Sequence, residues 1–122
     1  MSAMSMSNED YIEAIYVLSQ SGQSVRSTEV ADKLKVSRPA VNKAMNELIE
    51  KSLVTKENYG RINLTEAGDA LAEQIYSRHR LLNSFLLKIG VSAETAETDC
   101  CKIEHCVSEE TVRRLRSFMA KL

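Results

Sequence analysis

With 122 residues, 43% of them hydrophobic, the chain can bury one proper core and a partner surface but is short for two independent domains. No apolar run is long enough to cross a bilayer, and Met1 to Asp10 lack the basic start and apolar stretch of an export signal; a cytoplasmic protein with no membrane partner is expected. The formal net charge of −1 is unevenly spread: residues 26–61 carry eight Lys/Arg against five Asp/Glu, so this third of the chain is mildly suited to a nucleic acid.

Tyr11, Ile12, Ile15 and Leu18 recur at helical spacing behind Ser7 and predict a helix to Ser19, ended around Gly22. Near its start Asp10 and Glu13 stand three residues apart. They either complement the helix N-terminus and face water, or offer two carboxylates to a common ligand.

Two short helices follow, Ser27 to Leu34 with Val30, Ala31 and Leu34, and Ser37 to about Leu53 with Val41, Met45, Leu48 and Ile49. Only Lys35 and Val36 separate them, which is the helix-turn-helix pattern: a tight turn lays the second helix across the first and turns its outer face toward a major groove. Ser37, Arg38, Pro39, Ala40, Asn42 and Lys43 occupy or adjoin its leading turns. Pro39 and Ala40 suit thymine methyls, and Arg38 and Lys43 suit phosphate or guanine, although exposed basic residues are as often simply solvated.

Leu53–Lys56 and Arg61–Leu64 read as two short strands around Asn58-Tyr59-Gly60, a hairpin placed where a wing would stand. Thr65-Glu66-Ala67-Gly68 then opens a long helix carrying Leu71, Ile75, Leu82, Phe85, Leu86 and Ile89, closed by Gly90. His79 shares the apolar face of Ile75 and Leu82, as a satisfied interior histidine or as a ligand.

The last two helices are expected from Ser92 to about Val107 and from Ser108 to Lys121, each behind a serine cap. On the first of them Cys101, Glu104 and His105 fall at i, i+3 and i+4, presenting a thiolate, a carboxylate and an imidazole on one face. Cys100, Cys101 and Cys106 are expected to be thiols, because pairing is awkward on one helix and the cytosol is reducing. Carboxylates, imidazoles and one sulfur suit a divalent first-row metal better than a closed structural zinc site, and no CxxC pair exists. A thiol hydrolase built on Cys101 and His105 would lack an orienting third group and an oxyanion hole, so neither an enzyme nor a small organic substrate is expected.

Four segments in order carry a family signature: Glu9-Asp10-Tyr11-Ile12-Glu13-Ala14-Ile15-Tyr16, Leu64-Thr65-Glu66-Ala67-Gly68, Arg78-His79-Arg80-Leu81-Leu82 and Asp99-Cys100-Cys101-Lys102-Ile103-Glu104-His105. The chain resembles the iron- and manganese-dependent repressors of the diphtheria toxin repressor and manganese transport regulator (DtxR/MntR) family, over about Asn8 to Leu122. The resemblance implies a mainly α fold: a winged helix-turn-helix with a two-stranded wing at residues 1–72, then a helical metal-binding and dimerisation domain at 73–122. The resemblance implies the short form, without the SH3-like domain of the larger iron-sensing members.

Carried onto matching positions, the resemblance implies an effector site of Asp10, Glu13, His79, Cys101, Glu104 and His105. Asp10 and Glu13 follow the manganese-type pattern. Cys101 departs from it, standing where manganese regulators place a glutamate and iron-type members a cysteine, which leaves Fe(II) and Mn(II) both open. At the ancillary position of iron-type members His79 matches, while Asn83 and Glu97 stand where a glutamate and a histidine are expected, so one or two ions per subunit are allowed. Cys100 and Cys106 match no family ligand and are expected to pack in the core. The implied function is an Fe(II)- or Mn(II)-dependent homodimeric repressor of metal-homeostasis genes on a palindromic operator; the alternative is a winged-helix regulator that ignores metal.

Overall fold

The computed structural model describes residues 7–22, 24–57 and 60–122. Its elements run α1 (Asn8–Ser19), β1 (Val25–Arg26), α2 (Ser27–Leu34), α3 (Arg38–Glu50), β2 (Val54–Lys56), β3 (Arg61–Leu64), α4 (Glu66–Lys88), α5 (Ala93–Ile103) and α6 (Glu109–Ala120). Serine caps open four of these helices: the side chains of Ser7, Ser37, Ser92 and Ser108 accept the N–H groups of Asp10, Ala40, Thr95 and Thr111. Each cap satisfies one of the four N–H groups a helix start leaves without an intrahelical partner.

Two units are distinguished, Met1–Glu73 and Gln74–Leu122. In the first, α1, α2 and α3 bury Ile12, Ile15, Val30, Val41, Met45 and Leu48. Truncating one of the larger of these to alanine would cost roughly 2–5 kcal/mol. Between α2 and α3, Lys35 takes a left-handed conformation (φ 57°), and the Val36 N–H bonds to the Ala31 carbonyl at 3.1 Å, which makes the turn of the helix-turn-helix. Pro39 sits in the first turn of α3, where no intrahelical N–H is needed.

The wing is part of an antiparallel three-stranded sheet in the order β1-β3-β2. The expected hairpin supplies β2 and β3; the third strand, β1, is too short to announce itself and exists because Val25, buried, pairs with Ile62. The expected turn residues Asn58 and Tyr59 lie outside the described residues.

Gly68 stands where the start of α4 meets the backbone before the wing. A Cβ there would lie 2.0 Å from the Leu53 carbonyl oxygen, so only glycine fits. Thr65 caps this helix, accepting the Gly68 N–H at 3.0 Å while its hydroxyl donates to the Ser52 carbonyl at 2.7 Å.

In the second unit α4 ends at Gly90 (φ 100°), with the Val91 N–H returning to the Leu86 carbonyl at 3.0 Å. Ile75, Leu81, Leu82, Ala96, Cys100 and Val112 are buried. Helix α5 stops at Ile103, short of the expected Val107. Glu104 is its cap residue, and the Arg78 guanidinium donates to the carbonyls of Glu104 and Val107 at 3.3 and 3.4 Å, a long-range capture that local pattern does not reveal. Among the described residues, no helix is long and apolar enough to cross a membrane.

Candidate metal centre and nucleic-acid interface

On the first unit, Ser37, Arg38, Pro39, Asn42 and Lys43 are exposed and Ala40 is half-buried, so the outer face of α3 is available as the helix-turn-helix pattern expects. Arg38 and Asn42 also line a groove of about 320 Å³ with Arg26, Ser27, Thr28, Lys56 and Gly60. Lys56 Nζ donates to Asn42 Oδ1 at 3.5 Å, joining the wing to the recognition helix.

The Ser27 hydroxyl is buried in this groove without a hydrogen-bond partner among the described residues. Across the sheet Arg26 stands directly opposite Arg61. Like charges in register repel, and an anion between them would relieve the repulsion. Arg26, Lys56 and Arg61 were not singled out by motif; the net positive charge of residues 26–61 was the available signal.

Asp10 and Glu13 lie on α1. Asp10 is the N3 residue of a capping box, its Oδ2 accepting from the Ser7 N–H at 3.2 Å and the Ser7 hydroxyl at 2.8 Å. The helix-start reading of this carboxylate is thus realised. Glu13, one turn on, is half-buried.

The second unit gathers its polar residues around His79. The imidazole, 8% exposed, stacks on Tyr76 with ring centroids 5.5 Å apart. Nδ1–H donates to Glu104 Oε1 at 2.7 Å, and Nε2–H faces the Glu97 carboxylate at 3.1 Å. Hydrogen bonding with Cys101 and then with Glu104 pushes the His79 pKa up to about 11, against the opposing effect of burial. Glu104 is 1% exposed, and its second oxygen, Oε2, has no hydrogen-bond partner among the described residues although His105 Nε2 lies 3.5 Å away. A buried carboxylate oxygen left in that condition fits a cation.

His79, Glu97, Cys101 and Glu104 therefore come together within this unit, with His105 beside Glu104, but Cys101, Glu104 and His105 do not share one helical face as expected. With α5 ending at Ile103, Glu104 points into the unit while Cys101, a turn earlier, is exposed, and His105 is half-buried beyond the helix.

The two cysteines assigned to packing differ. Cys100 is fully buried, but its sulfur lies 3.6 and 3.7 Å from the two ring nitrogens of His79, so it belongs to the polar cluster as well. Burial, followed by the neighbouring Cys101, pushes its thiol up to about 12. Cys106 is exposed and does not pack in a core. It lies past the end of α5, where the expected helix would have turned it differently.

The cluster holds carboxylate, imidazole and thiol donors, the set that divalent transition metals accept. At neutral pH an incoming ion has to displace the His79 proton, so binding releases protons.

Residues 3–62 match the N-terminal DNA-binding domain of the iron dependent repressors, and residues 65–122 match their metal binding and dimerisation domain. An uncharacterised HTH-type transcriptional regulator of Methanocaldococcus jannaschii is 36% identical over 97% of this chain and 96% of its own length. The transcriptional regulator MntR of Escherichia coli is 36% identical over 93% of this chain and 73% of its own. The solved structure of the manganese regulator SloR superimposes with a TM-score of 0.85 at 33% identity, covering 96% of this chain, which spans 55% of the SloR chain.

Proposed function

Because the chain belongs to the iron dependent repressor (DtxR/MntR) family of metal-dependent DNA-binding transcriptional regulators, we propose that it represses metal-homeostasis genes when it binds Fe(II) or Mn(II). Residues 1–72 act as the DNA-binding half and 73–122 as the metal-binding and dimerisation half. The observation that carries this reading is the buried Glu104 carboxylate, one oxygen on His79 at 2.7 Å and the other without a hydrogen-bond partner among the described residues.

In this proposal His79, Cys101, Glu104 and His105 ligate the effector ion, joined by Asp10 and Glu13 as the family pattern implies. Glu97 serves an ancillary position with His79. The ion supplies a positive charge that neutral imidazole and ionised carboxylates hold in place. Metal binding orders the dimer for operator binding, so that two copies present their recognition helices about 34 Å apart to a palindromic operator.

Arg38, Lys43 and Asn42 supply phosphate and base-edge contacts, Pro39 and Ala40 apolar ones, and Ser37 holds the helix start. Exposed Leu87, Ile89 and Phe118 on the second unit suit contact with a second copy. By linkage, operator DNA tightens metal binding by the factor by which metal tightens DNA binding.

Anaerobic titration of Fe(II), Mn(II) and Zn(II) into the protein with DNA from upstream of metal-transport genes tests this against a chelated control. Affinity that rises only with Fe(II) or Mn(II) is expected. Equal affinity in chelator would favour the metal-independent regulator, in which the Asp10 cap and the Glu97–His79–Glu104 contacts are purely structural.

A further inference from the structure

The carboxylate-rich effector set and the ancillary position leave the buried Cys100 thiol of the second unit unused. His79, Glu97, Cys100 and Cys101 each offer a ligand atom, and these atoms all lie within 4.8 Å of one another. We propose that they form a site of their own for a thiophilic divalent ion such as Zn(II) or Cd(II), with a two-sulfur, one-nitrogen, one-oxygen ligand set that uses neither carboxylate of α1. It does not depend on the function proposed above.

The distances suit such an ion. Bonds of about 2.3 Å to sulfur and about 2.0–2.2 Å to nitrogen and oxygen place tetrahedral ligand atoms about 3.4–3.6 Å apart when one is nitrogen or oxygen. Cys100 Sγ lies 3.7 Å from His79 Nε2, Cys101 Sγ lies 3.8 Å from Glu97 Oε2, and His79 Nε2 lies 3.1 Å from that same oxygen. With all four atoms already within 4.8 Å of one another, closing them on an ion takes side-chain shifts of about an ångström or less.

A carboxylate already stands behind the imidazole. With Nε2 on the metal, Nδ1–H keeps its bond to Glu104 Oε1 at 2.7 Å, the outer-shell carboxylate that fixes the tautomer and orientation of a ligating histidine. Access is from the exposed side, through Cys101 and Glu97, while Cys100 forms the buried floor. Two thiolates make this set softer than one of carboxylates and imidazoles, and so select Zn(II) or Cd(II) over Mn(II). Both thiol protons and the His79 Nε2 proton are released to solvent as the two metal–sulfur bonds and the metal–nitrogen bond form, with no change of oxidation state.

The set shares His79 and Cys101 with the effector site and Glu97 with the ancillary position, so a thiophilic ion seated here would withhold all three from them. This would separate binding of such an ion from activation by it.

The test is the ultraviolet thiolate-to-metal charge-transfer absorption of the reduced full-length chain titrated anaerobically with Cd(II). Two thiolates per bound ion are expected. Cys100→Ser and Cys101→Ser should each lower the band to about half, Cys106→Ser should leave it unchanged, and the Asp10→Ala/Glu13→Ala double variant should retain it. Circular dichroism verifies that each variant is folded, and Cys100→Ala replaces Cys100→Ser if the latter is not. An unchanged band without Cys100, or loss of the band with the α1 carboxylates, would overturn the proposal. Neither readout involves DNA, so a failure here is distinguishable from failure of the repressor reading.

Discussion

Replacing Glu104 with glutamine separates charge from shape at the centre of the second unit. The amide keeps the volume of a side chain that is 1% exposed and can still accept the His79 Nδ1 proton now held at 2.7 Å, so the change removes the charge alone. A hydrogen bond involving a charged group is worth roughly 1.5–3 kcal/mol and a neutral one roughly 0.5–1.5, so the metal-free protein should lose about 1–2 kcal/mol at pH 7. For a chain of this length each kcal/mol lowers Tm by about 2–8 °C. His79, held up at about 11 by Cys101 and Glu104, should titrate lower. The assay is the pH dependence of the imidazole C–H chemical shifts, with thermal denaturation in chelator at pH 7 and operator binding with added Mn(II) or Fe(II). If His79 still titrates near 11 and Tm does not move, Glu104 does not hold the His79 charge and the reasoning fails. A full metal response would refute Glu104 as an effector ligand.

The metal-free protein should lose stability at high pH. His79 is raised from 6.5 to about 11, so its contribution is complete below pH 6.5 and disappears as pH rises through the folded value; the raised Cys100 thiol acts in the same direction above pH 9. Urea unfolding in chelator between pH 6 and 10 checks this, and stability that rises over that interval would contradict it. Arg38→Ala and Lys56→Ala should each weaken operator binding and reduce the slope of log affinity against log salt by about 0.9, as expected for one lost phosphate contact; an unchanged slope would take that residue off the phosphate backbone. Gly68→Ala should destabilise by roughly 1–3 kcal/mol, because its Cβ would meet the Leu53 carbonyl oxygen at 2.0 Å. Helix propensity alone would instead favour alanine by about 1 kcal/mol, so the sign in urea denaturation decides between the two.

Everything that depends on near neighbours was legible in the chain. Serine caps, the two-residue gap between Leu34 and Ser37, Pro39 in a first turn and the helical recurrence of apolar residues identify the winged helix-turn-helix and the helices after it, because capping and amphipathic burial act over three or four residues. The donor types around His79 were legible as residues, but their arrangement was not, because Glu104 and His105 stand beyond the end of α5 at Ile103. What required the tertiary structure involves residues far apart in sequence. Strand β1 exists only through its pairing with β3, and α5 ends early where Arg78, 26 residues before Glu104, donates to the carbonyls of the cap residue Glu104 and of Val107 beyond it. Cys100 looked like core packing, and its burial agrees; only the approach of α4 sets its sulfur 3.6 Å from His79, a contact across 21 residues that no periodicity encodes.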